Sequence, residues 1–130
     1  MFDWRRPANL GARDGRLAPC KRSPNCVCSQ ADPADREHYI APLAFAGAIA
    51  ELRRAIEALP RVTVIREAPE YLYAEFRTPL LRYVDDVEFL KAGSLVHVRS
   101  ASRLGRRDFG VNRRRVEAIR VLIRDPVRAT

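Results

Sequence analysis

A chain of 130 residues and 14.8 kDa suffices for one domain that buries roughly two-thirds of its unfolded surface, so residues 1–130 need no second domain. The balance of 47% apolar and 31% charged residues is typical of a soluble globular protein. No stretch approaches the roughly 20 apolar residues that cross a bilayer, and residues 1–7 lack the apolar core of a signal peptide. We therefore expect a cytoplasmic protein without a transmembrane segment.

The formal charge of +8 is concentrated near the C-terminus. Residues 91–130 carry 11 basic and 3 acidic side chains, and ten of the eleven are arginine, which suits bidentate binding of carboxylate or phosphate. A GC-rich genome also enriches arginine, and no aromatic RNA-binding motif accompanies the charge. We expect a small anion or an acidic protein surface as the partner, and no nucleic acid.

Residues 1–42 read as an irregular N-terminal arm, because five prolines interrupt any helix or central strand. The arm has apolar anchors at Val27 and Ile40, so we expect it to pack against a core formed by residues 43–130. Its three cysteines allow free thiols, a disulfide, or a zinc site with His38. Free thiols are favoured because nothing marks secretion. The zinc alternative lacks recognisable ligand spacing, and we expect no metal and no cofactor.

Apolar residues at helical spacing predict an amphipathic helix over residues 43–59, which Pro60 ends: Phe45, Ile49, Leu52, Ile56 and Leu59. Two runs rich in β-branched and aromatic residues, 61–66 and 70–78, then predict a hairpin. The apolar pair Leu80 and Leu81 interrupts the strand pattern. We expect this pair to fill the core edge or to lie over the sheet.

A second hairpin is predicted from Tyr83 onwards, with its turn near residues 91–93. A four-residue loop places Phe89 opposite Ser94, whereas a three-residue loop places Asp85 opposite Arg99. We prefer the first register because it separates an apolar face from a polar one. The apolar face carries Val87, Phe89, Val96 and Val98; the polar face carries Asp86, Glu88, His97 and Arg99, with Asp86 opposite His97.

In this register Asp85 points with the apolar residues, where a carboxylate is costly unless it is paired or hydrogen-bonded. We expect a structural role for Asp85, with backbone amides or arginines of residues 100–115 meeting its charge. Asp86 would lie on an exposed face, so its removal should change stability little. That polar face is either a solvated charge ladder or an acid/base or anion site with His97 as the proton carrier.

Asn112 is a candidate N-cap for a last helix that runs to Arg124. The order of arm, helix, four strands and helix predicts an α+β fold. It consists of an antiparallel four-stranded sheet with two helices on one face and a long irregular N-terminal arm.

The sequence resembles the domain-of-unknown-function 1499 family over nearly its whole length. The resemblance rests on motifs that are specific in combination: Ser23-Pro24-Asn25-Cys26-Val27, His38-Tyr39-Ile40-Ala41-Pro42-Leu43, Tyr83-Val84-Asp85-Asp86-Val87-Glu88-Phe89, His97-Val98-Arg99-Ser100-Ala101-Ser102-Arg103 and Asp108-Phe109-Gly110-Val111-Asn112-Arg113. The family usually has Ser where this chain has Cys28. The resemblance therefore implies that Cys20 and Cys26 are the structural pair; it implies no activity.

Three functions are consistent with these observations. The leading hypothesis is a binding or accessory module for an anionic ligand or acidic partner. Its candidate ligand-binding residues are Asp86, His97, Arg99, Arg103, Arg107, Asn112 and Arg113. The first alternative is a small hydrolase-like enzyme that uses His97 as the acid or base with Asp86 orienting it. The second is a structural interaction module.

Overall fold

The structure is a computed structural model that describes residues 5–105 and 108–124. These residues form two helices and six strands. In chain order the elements are β1 (Cys26–Cys28), β2 (Leu43–Ala44), α1 (Ile49–Glu57), β3 (Val62–Ala68), β4 (Tyr71–Arg77), β5 (Val84–Ala92), β6 (Leu95–Ser102) and α2 (Val111–Arg124).

The predicted α+β class is confirmed, but the sheet has six strands rather than four. Strands β3 to β6 form the expected antiparallel meander, because each pairs with the next along the chain. The two additional strands, β1 and β2, come from the arm and the segment that follows it, and both pair antiparallel with β6. Neither short strand shows a strand pattern in the sequence. Each is stabilised by hydrogen bonds to the free edge of β6, which alternation within the segment itself cannot reveal.

Helix α1 is shorter than predicted. It begins at Ile49 instead of residue 43 and ends at Glu57. Leu43 is fully buried and pairs with Val96 of β6, so the apolar residues before the helix belong to the sheet edge. Apolar spacing alone does not separate these two uses of Leu43.

The β5–β6 hairpin has a two-residue turn, Gly93 and Ser94, and both registers considered from the sequence are wrong. Gly93 has φ +64°, the conformation that a tight hairpin turn requires at its first central residue. Phe89 pairs with Val98 rather than Ser94. Because the preferred register is displaced by four positions, an even number, the predicted division into two faces is correct.

Both helices pack on one face of the sheet, as predicted. Their buried residues, which include Ile49, Leu52, Val116 and Ile119, join the apolar residues of the strands in one core. Asp85 lies on this same face, at its edge. None of the helices in the described part of the chain is long and apolar enough to cross a membrane.

The arm covers the opposite face of the sheet. Leu17 is buried against Tyr71, Tyr73 and Leu90, with Leu10 packed beside them. The expectation that the arm packs against the core is confirmed. The two faces of the sheet are therefore both covered, one by helices and the other by a segment without regular structure.

Candidate functional site

Ionisable side chains lie between the sheet and the arm in a group that we call the ionic layer. Alternation along the strands points the members from β4, β5 and β6 to the arm side. Asp86 and Glu88 are 1% and 0% exposed, so the expected solvated face is wrong: the arm excludes water from it. The members are Glu75, Asp86 and Glu88 from β4 and β5, Arg99 and Arg103 from β6 and the loop after it, and Arg6 from the arm.

Arg103 is the central cation of the ionic layer. Its Nη2 lies 2.6 Å from Asp86 Oδ1 and 3.0 Å from Glu75 Oε2, and its Nε donates to Asp86 Oδ2 at 3.2 Å. The Tyr73 hydroxyl also donates to Asp86 Oδ1, at 2.5 Å. Burial by itself disfavours the Arg103 charge, but the two carboxylates outweigh burial and raise its pKa.

Arg6 connects the arm to this group. Its Nε lies 2.7 Å from Glu75 Oε2, although the Arg6 side chain is half exposed. Burial alone would favour protonated Glu75. The hydrogen bonds from Arg6 and Arg103 nevertheless lower the pKa of Glu75, so the carboxylate stays charged.

Glu88 is held from two sides. Its Oε2 accepts hydrogen bonds from the Tyr71 hydroxyl at 2.5 Å and from the backbone N–H of Gly11 at 2.7 Å. Gly11 has φ +99°, which residues with a side chain rarely adopt. Burial, and then the bond to Glu88, raise the pKa of Tyr71, so its hydroxyl remains a donor.

Arg99 is bound less tightly than Arg103. Its Nη1 is 3.8 Å from Glu88 Oε1 and its Nη2 donates weakly to the Pro19 carbonyl at 3.4 Å. Within the part of the chain that the structure describes, neither Arg99 Nε nor Glu88 Oε1 has a hydrogen-bond partner. The guanidinium therefore keeps unused donor capacity.

A cavity of about 330 Å³ opens beside Arg99 and Arg103, and we call it the arm cleft. The arm forms one wall through Pro7, Ala8 and Asn9. Its other lining residues include Lys21, Ser23, the disulfide-bonded Cys26, Ala101, Ser102 and Gly105. The arm cleft thus brings three cations, Lys21, Arg99 and Arg103, to one cavity.

His97 and Asp86 are not neighbours, contrary to the preferred register. Asp86 pairs across the strands with Ala101 and His97 with Leu90, which separates the two by four residues, about 13 Å along β6. His97 Nδ1 instead lies 3.0 Å from Ser29 Oγ. Burial, with a smaller effect of Arg16, lowers the pKa of His97.

Asn112 belongs to a separate buried cluster on the helix side. Its Nδ2 donates to Asp108 at 2.6 Å and to Ser102 at 2.8 Å, and its Oδ1 accepts from Ser100 at 2.6 Å. Asn112 is not the N-cap that the sequence predicts, because α2 begins at Val111. Asp108 supplies the capping carboxylate instead, accepting from the backbone N–H groups of Gly110 and Asn112.

Of two further candidates, one lies away from the arm cleft and the other lies outside the described residues. Arg113 Nη2 donates to the carbonyls of Arg36, Glu37 and Tyr39, which ties α2 to the arm. Arg107 lies outside the described residues. Of the seven predicted ligand-binding residues, the structure therefore gathers Asp86, Arg99 and Arg103 in one place.

Asp85 is 2% exposed and its charge is met locally, as predicted. Arg115 Nη2 of α2 lies 2.7 Å from Asp85 Oδ2. The contact has the distance of a hydrogen bond but not its direction, so it acts as an ion pair. Burial raises the pKa of Asp85, and Arg115 opposes this effect.

Cys20 and Cys26 form a disulfide with sulfur atoms 2.07 Å apart, and Cys28 is a buried free thiol. The expectation of free thiols, which was drawn from the residues alone, is therefore wrong for Cys20 and Cys26. The pairing of these two cysteines that the family resemblance implies agrees with the structure. The bond ties the arm to β1 at the edge of the arm cleft. Disulfides persist mainly in oxidising compartments, so the expected cytoplasmic location stays a prediction that this bond does not support.

His38 fastens the arm through two acceptors. Its Nδ1 lies 2.8 Å from Asp35 Oδ2 and its Nε2 lies 3.0 Å from the Ser23 carbonyl oxygen. Neither partner can donate, so both bonds form only when both ring nitrogens carry hydrogen. Burial opposes the charged ring, but these partners outweigh burial and raise the pKa of His38.

We expect the stabilisation from His38 to depend on pH. Because its folded pKa lies above the unfolded value of about 6.5, the contribution is complete below that value and is lost as pH rises through the folded pKa. Urea unfolding of the wild type and His38→Gln from about pH 5 to about pH 9 measures it. The two free energies of unfolding should converge at high pH. A difference that does not vary with pH would show that the charged ring adds nothing.

Sequence reasoning missed Tyr71, Tyr73, Glu75, Arg6 and Lys21. One signal was available: Tyr71, Tyr73 and Glu75 alternate along a strand, so aromatic hydroxyls share a face with a carboxylate. Tyrosine hydroxyls are usually hydrogen-bonded when buried, and this pattern indicates a covered polar face. Arg6 carries no comparable signal, because its partner Glu75 is 69 residues away.

These contacts define a small α+β domain in which an arm, tied by a disulfide, closes a buried ionic layer. The family model described as "Protein of unknown function (DUF1499)" matches residues 16–123. The chain belongs to this family, which confirms the resemblance. No curated protein and no solved structure matches the chain.

Proposed function

We propose that the protein is a small binding module and that its arm cleft takes a small anion such as phosphate, sulfate or a carboxylate. The observation that supports this most directly is Arg99. It lines the arm cleft, is 4% exposed, and its Nε has no hydrogen-bond partner among the described residues. A buried donor without a partner loses free energy that a ligand oxygen would restore.

The balance of charge also supports an anion. The three carboxylates of the ionic layer face three arginines, and Arg77 also contacts Glu75 at 3.3 Å, so arginines outnumber carboxylates there. Lys21 adds a positive charge at the exposed mouth, and no carboxylate among the described residues pairs with it. Planar guanidinium groups beside an ammonium suit an oxyanion. In this proposal Asp86 and Glu75 hold Arg103 in place and do not contact the ligand.

The enzyme alternative has less support. It required His97 beside Asp86, and the observed register separates them. Ser29 replaces Asp86 as the partner of His97, but Ser29 is 6% exposed and accepts a hydrogen bond from the Val98 N–H. Neither Ser29 nor His97 lines the arm cleft. If no anion binds, a structural interaction module is the remaining hypothesis.

An NMR titration tests the anion proposal. Potassium phosphate, compared with potassium chloride at equal ionic strength, should shift the backbone amides of residues 21–26 and 99–105. Lys21→Glu should weaken the affinity for phosphate roughly tenfold, because one charge-assisted hydrogen bond is replaced by repulsion.

Arg54→Glu provides the matched control. Arg54 is exposed on α1 and has no partner among the described residues, so the variant makes the same change in net charge on the helix side. It should bind phosphate like the wild type. Equal weakening in both variants would mean that the anion responds only to net charge, and the arm cleft would not be the site.

A further inference from the structure

The most exposed apolar side chains of the described chain lie together at one end of the sheet. Leu80, Leu81 and Phe109 are 93%, 66% and 83% exposed, whereas the other exposed large hydrophobic residues, Leu95 and Val121, are 40% and 43% exposed. Leu81 and Phe109 line the same cavity, so the β4–β5 loop and the loop before α2 meet there. We call Leu80, Leu81 and Phe109 the apolar tip.

The apolar tip overturns the expectation that Leu80 and Leu81 fill the core edge or lie over the sheet. These side chains project into solvent from two neighbouring loops, and burying them in the domain would have been favourable. Contiguous exposed apolar groups on a folded protein mark an interaction surface more often than isolated ones do.

Arginines surround the apolar tip. Arg82 directly follows Leu81, and Arg61, Arg77 and Arg114 line a neighbouring cavity that shares Thr78 and Val111 with the first. The carboxylates nearby are fewer than the arginines: Asp85 is paired with Arg115, Glu75 contacts Arg77 at 3.3 Å, and Asp108 caps α2. The charge that this end of the molecule presents is therefore positive.

We propose that the apolar tip docks on an anionic lipid surface. Leu80, Leu81 and Phe109 enter the boundary between headgroups and acyl chains, while Arg82 and the neighbouring arginines contact lipid phosphates. Apolar insertion combined with attraction to anionic lipid is how peripheral segments bind membranes. A second copy of this chain is a poorer occupant, because it would bring two positively charged ends together. This inference does not depend on the arm cleft, whose ligand is tested with soluble phosphate.

Co-sedimentation with lipid vesicles tests the proposal. The full chain should bind vesicles of phosphatidylcholine and phosphatidylserine, and bind pure phosphatidylcholine vesicles much less, with the difference reduced by added salt. The double substitution Leu80→Ser with Leu81→Ser should weaken binding by a factor of about ten or more, as expected when two leucine side chains no longer insert. Both residues are exposed, so the fold should survive, and an unchanged circular dichroism spectrum checks this.

Leu95→Ser is the matched control. Leu95 is an exposed leucine beside the β5–β6 turn, at the other end of β5 from the apolar tip. Its substitution should leave vesicle binding unchanged. No binding to phosphatidylserine vesicles, or equal loss in the control, would overturn the proposal. So would a concentration-dependent dimer that the double variant abolishes, because the occupant would then be a second copy.

Discussion

Replacing Asp86 with alanine is expected to lower the free energy of unfolding by about 3–5 kcal/mol, the usual consequence of removing one partner of a buried ion pair. Arg103 would keep a charge that is mostly shielded from water and would lose the nearer of its two carboxylate contacts, while Glu75 stays at 3.0 Å. The Tyr73 hydroxyl would lose its nearer acceptor and keep Glu75 Oε2 at 3.2 Å. Asp86→Asn should also be costly, because it keeps the shape but removes the charge that Arg103 faces.

Urea unfolding at neutral pH measures this effect against a matched control. Glu67 also pairs with an arginine, Arg53, at 2.9 Å, but both side chains are about one-third exposed. Glu67→Ala should therefore cost less than about 1 kcal/mol, as for other surface pairs. If Asp86→Ala were as mild as Glu67→Ala, Asp86 would be solvated and the arm would not cover it.

Asp85→Ala is expected to have an effect of similar size on the other face of the sheet. It leaves Arg115 without its anion, next to the ring of Phe76, whose centroid is 5.1 Å from the guanidinium carbon. Burial raises the pKa of Asp85, because the buried site disfavours the charged form of the carboxyl more than water does. Asp85→Asn should therefore lower the free energy of unfolding less than Asp85→Ala does. The difference between these two variants should be larger than the difference between Asp86→Asn and Asp86→Ala.

A double-mutant cycle with Arg115→Ala isolates the Asp85–Arg115 interaction. Residues in direct contact usually couple by about 0.5–3 kcal/mol, and a value in that range is expected. Additive effects of the two substitutions would mean that Asp85 is stabilised by something other than Arg115.

Alternation along the strands predicted which side chains share a face, and that part of the fold was accessible from sequence. The turn at Gly93 and Ser94 differs from the predicted loop, yet the even displacement left Asp85 with the apolar set and Asp86 with the polar set. Alternation does not tell which faces are covered. Asp86 was expected in water because a polar face normally faces solvent, and the segment that covers it has no regular pattern.

The candidate site, too, could be predicted only in part from the sequence. Arg99, on the polar face of β6, and Arg103, directly after this strand, could be selected from the sequence, and both line the arm cleft. Their surroundings come from distant parts of the chain: Gly11 and its acceptor Glu88 are 77 residues apart. Contacts of this kind depend on the path of the arm, which neither helical nor strand periodicity encodes. The two short strands β1 and β2 were missed for the same reason.

If the arm closes the ionic layer, the Gly11 amide is shielded from water, which hydrogen exchange measures. This N–H donates to the fully buried Glu88 carboxylate, although Gly11 lies in a segment without regular structure. Native-state exchange followed by NMR should show Gly11 protected by several orders of magnitude, while neighbouring exposed amides of the arm exchange quickly. Exchange of Gly11 at the rate of an unfolded peptide, with the amides of β5 still protected, would contradict the account.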